Sequence, residues 1–143
     1  MKNNNLGLGV MIKMLSGNEQ TYNSVHESLG KTIKKVWLDE DNDQLRFEFE
    51  DGTKLIMWDG GQSCCEHRYM RTDDDLNEYA GSVFMDVELK EAPDQDAGGE
   101  VHEVQFLDIK TDKGIFQMAN HNEHNGYYGG FYIEARLENN NYN

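Results

Sequence analysis

The chain has 143 residues, with 13 Lys plus Arg against 27 Asp plus Glu, so its formal net charge at pH 7 is −14. This length suits one domain with one core, and no apolar run in the sequence reaches the roughly 18–20 residues of a membrane span. The charge repels phosphate groups, which disfavours ordinary nucleic-acid binding and binding to anionic membranes and leaves a protein partner with a basic surface open; the alternative is acidity that serves solubility alone. The chain is expected in the cytoplasm, because its start lacks the apolar stretch of a signal peptide and its two cysteines are adjacent.

The first half of the sequence predicts a helix followed by a β-meander. The elements are an N-terminal arm or edge strand (1–20), a helix (22–29) and strands over 31–38, 44–50 and 53–58. The middle strand alternates strictly between apolar and polar residues, and Asp51-Gly52 supplies the turn chemistry of a hairpin. Two registers of this hairpin are open. A two-residue turn pairs Phe47 with Ile56, whereas a three-residue bulged turn pairs Phe49 with Thr53.

The second half predicts a similar order of elements after a Gly-rich loop. They are strands over 64–71 and 82–89, a helix over 73–79, a solvated loop over 91–99, a hairpin over 101–121, a last strand over 132–137 and a polar tail over 138–143. The helix begins with three aspartates, which the helix dipole favours, and it ends before Gly81. The hairpin turns at Asp112-Lys113-Gly114.

One spaced pattern of residues occurs in both halves. Leu29-Gly30-x-x-Ile33-x-x-Val36-x-Leu38 matches Ala80-Gly81-x-x-Phe84-x-x-Val87-x-Leu89, although helices that end in glycine before a strand are common and a chance match is the alternative. We therefore expect an α+β fold of mostly antiparallel strands in one domain (21–137). It would consist of two related helix-plus-β-meander units (21–71 and 72–137) with two short helices. Edge strands of such sheets invite pairing, so a homodimer is also expected.

Two groups of histidines and cysteines have the residue types of a metal site. His121 and His124 lie three apart, and a loop that turned both inward would let them bind one zinc ion. Cys65 and His67 project on the same side of a predicted strand and could supply further ligands. The alternative for each group is structural: a buried thiol for the cysteine and an ordinary turn for the His/Asn/Gly loop.

Two other stretches have the composition of a binding surface. Asp73, Asp74 and Asp75 form one of several carboxylate clusters that would attract a positively charged groove. The segment 126–131 combines three glycines with Tyr127, Tyr128 and Phe131, whose rings would anchor a small ligand or a protein. The alternative for this segment is a glycine-kinked strand whose aromatic residues belong to the core.

Four short motifs follow one another along the chain. They are Gly30-Lys31-Thr32-Ile33, Asp51-Gly52-Thr53-Lys54, Cys64-Cys65-Glu66 and Asn125-Gly126-Tyr127-Tyr128-Gly129-Gly130-Phe131. In this order they resemble a small family of uncharacterised proteins found in bacteriophages and prophages, over roughly residues 28–137. The resemblance implies a phage-related accessory protein in the host cytoplasm. It implies no activity.

The leading functional hypothesis is a non-enzymatic acidic binding protein that inhibits or sequesters a host protein through that protein's basic surface. Under this hypothesis no cofactor is expected. One alternative is a protein that sequesters a small molecule or a nucleotide with the Gly/Tyr segment. The other is a metal-dependent enzyme with zinc at the histidines and cysteines. The sequence contains no Gly-x-Ser-x-Gly nucleophile motif that would favour a serine hydrolase.

Overall fold

The computed structural model describes residues 19–61, 66–91, 95–97, 100–124 and 131–139. In chain order the elements are helix α1 (Glu19–Ser28), β1 (Ile33–Asp39), β2 (Gln44–Phe49), β3 (Lys54–Asp59), β4 (His67–Arg71), a 3₁₀ helix (Leu76–Tyr79), β5 (Phe84–Glu91), β6 (Gln95–Ala97), β7 (Glu100–Thr111), β8 (Gly114–His124) and β9 (Ile133–Glu138). These strands form two antiparallel sheets. Sheet 1 has the order β1-β2-β3-β9, and sheet 2 has the order β4-β8-β7-β5, with β6 also paired to β7.

The α+β expectation is confirmed in its broad form, because most described residues lie in antiparallel strands beside one α-helix. Two predicted elements differ in detail. The second helix is a four-residue 3₁₀ helix, since the chain between its cap at Asp75 and Gly81 is too short for a longer α-helix. The predicted loop over 91–99 contains the short strand β6. Residues 1–18, which hold most of the predicted arm, lie outside the described residues.

The β2–β3 hairpin adopts the bulged register. Phe47 lies opposite Leu55, and the Phe49 N–H donates to the Thr53 carbonyl at 2.9 Å. Gly52 takes a φ of +91° in the turn, a conformation that glycine adopts without steric cost. This register places Leu55 and Met57 on the same face as the apolar residues of β2, so the hairpin contributes a continuous apolar surface to the interior.

The core lies between the two sheets. Phe47 and Phe49 of β2 contact Phe84 of β5, and the ring centroids of Phe47 and Phe84 are 5.3 Å apart in an edge-on arrangement. Phe116 of β8 lies 6.2 Å from Phe47, and all four rings are fully buried. Burial of each ring contributes about 1.5–3 kcal/mol relative to exposure. This aromatic cluster therefore stabilises the packing of sheet 1 on sheet 2.

Helix α1 covers the outer edge of β9. The Thr21 hydroxyl accepts a hydrogen bond from the Ala135 N–H at 3.2 Å, and the Ser24 hydroxyl accepts one from the Leu137 N–H at 3.0 Å. Val25 of the same helix is fully buried in the core. Unpaired edge N–H groups invite pairing with other chains, so α1 protects this edge of sheet 1.

Two glycines join the sheets by reciprocal hydrogen bonds. Gly30 follows α1 with a φ of +87°, and Gly81 follows the 3₁₀ helix with a φ of +89°. The Gly30 N–H donates to the Phe84 carbonyl at 2.8 Å, and the Gly81 N–H donates to the Ile33 carbonyl at 2.7 Å. Each sheet also takes its fourth strand from the other half of the chain: β9 joins sheet 1, and β4 joins sheet 2.

Candidate functional site

Sheet 2 has one face in the core and the other toward solvent. Along β8 the residues alternate, so that Phe116 points into the core whereas His121 and Glu123 lie on the outer face. The antiparallel register places His121 between Tyr69 of β4 and Val104 of β7. Residues that are far apart in the sequence are thus neighbours on this outer face.

Five outer-face residues from three strands form a group that we call the histidine cluster: His67, Tyr69, His102, His121 and Glu123. His102 Nε2 and His121 Nδ1 are 2.9 Å apart, so one ring donates a hydrogen bond to the other. The Tyr69 ring stacks on His121 with centroids 4.5 Å apart and planes 7° apart, and the His67 ring lies 4.9 Å from Tyr69. The Tyr69 hydroxyl donates to the Glu123 carboxylate, which also lies 4.0 Å from His102 Nε2.

The histidine cluster changes the acidity of three of its members. Burial, together with the hydrogen bond to Glu123, raises the pKa of Tyr69 to about 12. Burial and the nearby charge of His102 lower the pKa of His121, whereas the hydrogen bond from Tyr69 lowers the pKa of Glu123. At pH 7 the cluster therefore presents a neutral His121 ring, a phenol donor and a carboxylate. This is a polar aromatic surface suited to binding.

A groove of about 390 Å³ opens beside the histidine cluster on the same face. Its lining residues are Arg71, Thr72, Asp73, Asp74, Phe106, Gln117, Ala119 and His121. Phe106 is half-buried and supplies an aromatic wall, while the two aspartates supply negative charge. The groove thus combines an apolar surface with carboxylates, which suits a ligand that carries positive charge on an apolar stem.

The three predicted aspartates have different surroundings. Asp74 accepts a hydrogen bond from the Gln117 N–H at 2.8 Å, which fixes its carboxylate against β8. Asp75 accepts from the Asn77 N–H at 3.1 Å and caps the 3₁₀ helix. Asp73 is exposed and makes no side-chain hydrogen bond to the described part of the chain. Its carboxylate is therefore the one that a partner could reach without disturbing the fold.

Residues 26–133 match one protein family, which is described as a domain of unknown function, DUF7448. The chain belongs to the DUF7448 family. The groove and the histidine cluster both fall within the matched residues of this DUF7448 domain. No curated protein and no solved structure gives a significant match. In the described residues of the domain, no helix is both long and apolar enough to cross a membrane.

A second acidic segment of the DUF7448 domain lies next to the groove. Arg71 Nη1 is 2.7 Å from an Asp43 carboxylate oxygen, and the Met70 N–H donates to the same carboxylate at 3.1 Å. Glu40 and Asp41 of this β1–β2 turn are exposed. The turn and the 73–75 segment, separated by more than twenty residues in the sequence, are therefore connected through Arg71.

His121 and His124, the two predicted metal ligands, lie apart in the DUF7448 domain. The chain forms strand β8 as far as His124, so His121 and His124 lie on opposite faces, and His124 Nε2 is 3.1 Å from Glu103 on the inner side. They cannot bind one ion in this arrangement. His67 belongs to the histidine cluster, and Cys65 lies outside the described residues. In the ranges that the structure describes, no three His, Cys, Asp or Glu side chains form a metal-binding group.

The predicted aromatic anchors are described only in part. Phe131 is half-buried and lies two residues before the start of β9, whereas Tyr127 and Tyr128 lie outside the described residues. Several residues of the outer face were missed by sequence reasoning: Tyr69, His102, Phe106 and Glu123. Each alternates with inward-facing residues along its strand, as surface residues of any half-buried strand do. Only the register of β4, β7 and β8 brings them together.

Proposed function

We propose that this domain is a non-enzymatic acidic binding protein that docks a basic segment of a protein partner in the groove of sheet 2. The proposal is carried by one observation: Asp73, Asp74 and Phe106 line the same groove. Carboxylates accelerate the encounter with a positive surface, and a partly buried aromatic ring provides the desolvated contact that slows dissociation. The groove offers both.

The charge distribution around the groove supports a basic partner. Arg71 is the cationic side chain of the lining, and it is paired with Asp43. Glu40 and Asp41, which belong to the same turn as Asp43, are exposed, and so is Asp73 of the groove lining. The field around the groove is therefore negative, in line with the net charge of −14.

The test compares two charge reversals that alter the net charge equally. Asp73→Lys places the new charge at the groove, and Glu27→Lys places it on α1, which packs on β9 of sheet 1. Partners are captured from a cell lysate at about 50 mM salt and washed at about 500 mM, where the screening length falls from roughly 14 to 4 Å. We expect salt-sensitive retention that Asp73→Lys abolishes and Glu27→Lys preserves. Retention of partners that does not change with salt concentration, or an equal loss of retention in both variants, would contradict the proposal.

The aromatic wall has its own test in the same system. Phe106→Ala removes the ring but leaves every charge in place, so it should accelerate dissociation of a recovered partner while leaving the association rate nearly unchanged. Asp73→Lys should do the opposite. Biosensor rates for the two variants against one purified partner separate these effects.

The resemblance to phage and prophage proteins supports a wider form of this proposal. In that form the partner is a host protein in the cytoplasm, and binding inhibits or sequesters it.

A homodimer is also proposed, because β5 lies at an outer edge of sheet 2 and edge strands favour pairing. Light scattering of the purified chain tests this: the dimer predicts twice the mass of one chain.

We also propose that the two halves of the chain are copies of one helix-plus-β-meander unit. The reciprocal hydrogen bonds of Gly30 and Gly81 support this relation. The first strand of each half is irregular at the matching place, β1 after Ile33 and β5 after Phe84. The exchange of the fourth strands, β4 and β9, fits the same relation.

A further inference from the structure

Two members of the histidine cluster share one hydrogen bond beside the groove. His102 of β7 and His121 of β8 lie on the outer face of sheet 2, and His102 Nε2 is 2.9 Å from His121 Nδ1. At this distance one nitrogen carries the proton and the other accepts it with its lone pair. The contact is therefore compatible with at most one positive charge on the two rings.

A second proton on this pair of histidines breaks the contact. A protonated imidazole carries hydrogen on both nitrogens, so two protonated rings would direct N–H groups at each other across 2.9 Å. Like charges at this separation repel, and groups that interact so closely take up their protons in two steps that belong to the pair. The first proton leaves the hydrogen bond intact, whereas the second forces the rings apart.

Charged and titratable side chains surround the pair on several elements. They are His67, Tyr69 and Arg71 of β4, Glu123 of β8, Asp73 and Asp74 of the groove and, one strand farther, Lys90 and Asp108, which pair with each other. Glu123 lies 4.0 Å from His102 Nε2, so its carboxylate can balance one positive charge. Burial and the charge of His102 lower the pKa of His121. The histidine cluster holds one carboxylate for three histidines, so full protonation makes the charge of the cluster positive.

We propose that the His102–His121 pair is a pH-sensitive switch that releases the basic partner from the groove in mild acid. The second proton breaks the hydrogen bond between the rings, and the two positive charges then repel the cationic groups of the partner. His121 lines the same groove as Asp73 and Asp74, so the new charge appears where the partner docks. Carboxylates remain ionised over the pH range in which histidines titrate, so positive charge is added while the negative charge stays. This inference rests on the proposed binding function of the groove.

NMR titration of the full chain tests the pair without any partner. All solutions contain EDTA, so that no metal ion competes with protons for the rings. The ring carbons of His102 and His121 should report two protonation steps at separate pH values. His102→Gln should raise the pKa of His121, because the neighbouring charge is removed. Independent titration of the two rings at one pH, or an unchanged pKa of His121 in His102→Gln, would overturn the switch.

A rhodamine-labelled peptide of six lysines tests the release, because its lysine charges stay constant over this pH range. Between about pH 7.5 and 5, the dissociation constant of the wild type should rise about tenfold as the added charges repel the peptide. The double variant His102→Gln/His121→Gln should show a rise of less than about threefold. The matched control is His26→Gln, since His26 is exposed on α1, and it should respond like the wild type.

The outcomes separate the switch from the function of the groove. Absence of peptide binding at about pH 7.5, or binding that Asp73→Lys leaves unchanged, would contradict the proposed function and the release together. Wild-type binding that is equally tight at both pH values would overturn the switch alone. A pH dependence that survives in the double variant would also overturn the switch and leave the groove as a binding site.

Discussion

Among the charged side chains, we expect removal of Arg68 to lower the free energy of unfolding most. Its Nη1 donates to both carboxylate oxygens of Asp59, at 3.0 and 2.9 Å, and its Nη2 donates to Glu66 at 2.8 Å. Asp59 ends β3 of sheet 1 and Arg68 lies on β4 of sheet 2, so the guanidinium connects the sheets. Arg68→Met keeps the length of the side chain and removes the charge.

The expected loss follows from burial of the ion group. The side chains of Arg68, Asp59 and Glu66 are 4 %, 10 % and 1 % exposed. Removing one partner of a buried pair costs about 3–5 kcal/mol, because the remaining charge stays in a medium of low dielectric. A domain has only about 5–15 kcal/mol in total, so this loss is a large share of its stability. Arg68→Lys keeps the charge without the forked geometry and should lose less.

Urea unfolding followed by circular dichroism measures this effect. With a denaturant slope of about 2 kcal/mol per molar, Arg68→Met should lower the midpoint by about 2 M. The matched control is Arg136→Met, because Arg136 pairs with Glu138 at 2.8 Å while both side chains are more than two-fifths exposed. The control should lose less than about 1 kcal/mol. Equal losses in the two variants would refute the reasoning from burial.

Three further predictions concern backbone and protonation. Gly30→Ala and Gly81→Ala force alanine to positive φ; a new Cβ meets nothing at Gly30 and only ordinary contact with Lys113 Nζ, 3.4 Å away, at Gly81. Each should therefore cost about 1 kcal/mol in urea unfolding, and unequal costs would count against the duplicated unit. The Tyr69 phenol should titrate near pH 12 when followed by absorbance, because its pKa in the folded protein exceeds the ordinary value of 10. The contribution of the protonated phenol to the free energy of unfolding is therefore complete below pH 10 and is lost as the pH rises to about 12. Asp51 has a pKa of about 2, below the ordinary value of 3.8, chiefly because Lys31 donates a hydrogen bond to it. The contribution of the Asp51 carboxylate to the free energy of unfolding is therefore present above pH 3.8 and is lost as the pH falls to about 2. NMR titration of the Lys31→Met variant should show a higher pKa for Asp51.

Local periodicity predicts the strands of this fold well and their partners less well. The alternation of β2 is visible in the sequence because one face is buried and the other is solvated. The sequence is compatible with two turns and so with two hairpin registers, and the hydrogen bond from the Phe49 N–H to the Thr53 carbonyl decides between them. The exchange of β4 and β9 between the sheets could not be predicted, because strand pairing over such distances depends on the whole core.

The candidate site shows where sequence reasoning fails for a physical reason. The stretch that contains His121 and His124 has the Asn-rich composition of a turn, yet pairing with β7 extends it as a strand and separates the two histidines. Asn120 and Gln105 alternate along their strands in the same way as solvent-facing residues. Only the packing of sheet 1 over sheet 2 shows that their polar side chains are buried.

The most direct test of groove binding is photo-crosslinking from the groove itself. A benzoylphenylalanine replaces Phe106 in one full-length protein and Tyr22 in another, because Tyr22 is an aromatic residue of α1 that is 38 % exposed. Both proteins are irradiated in a cell lysate at about 50 mM salt, and the crosslinked peptides are sequenced. We expect crosslinks from position 106 to peptides rich in Lys and Arg, which disappear when Asp73→Lys is added. Crosslinks confined to position 22, or crosslinks from position 106 to acidic peptides, would contradict binding in the groove.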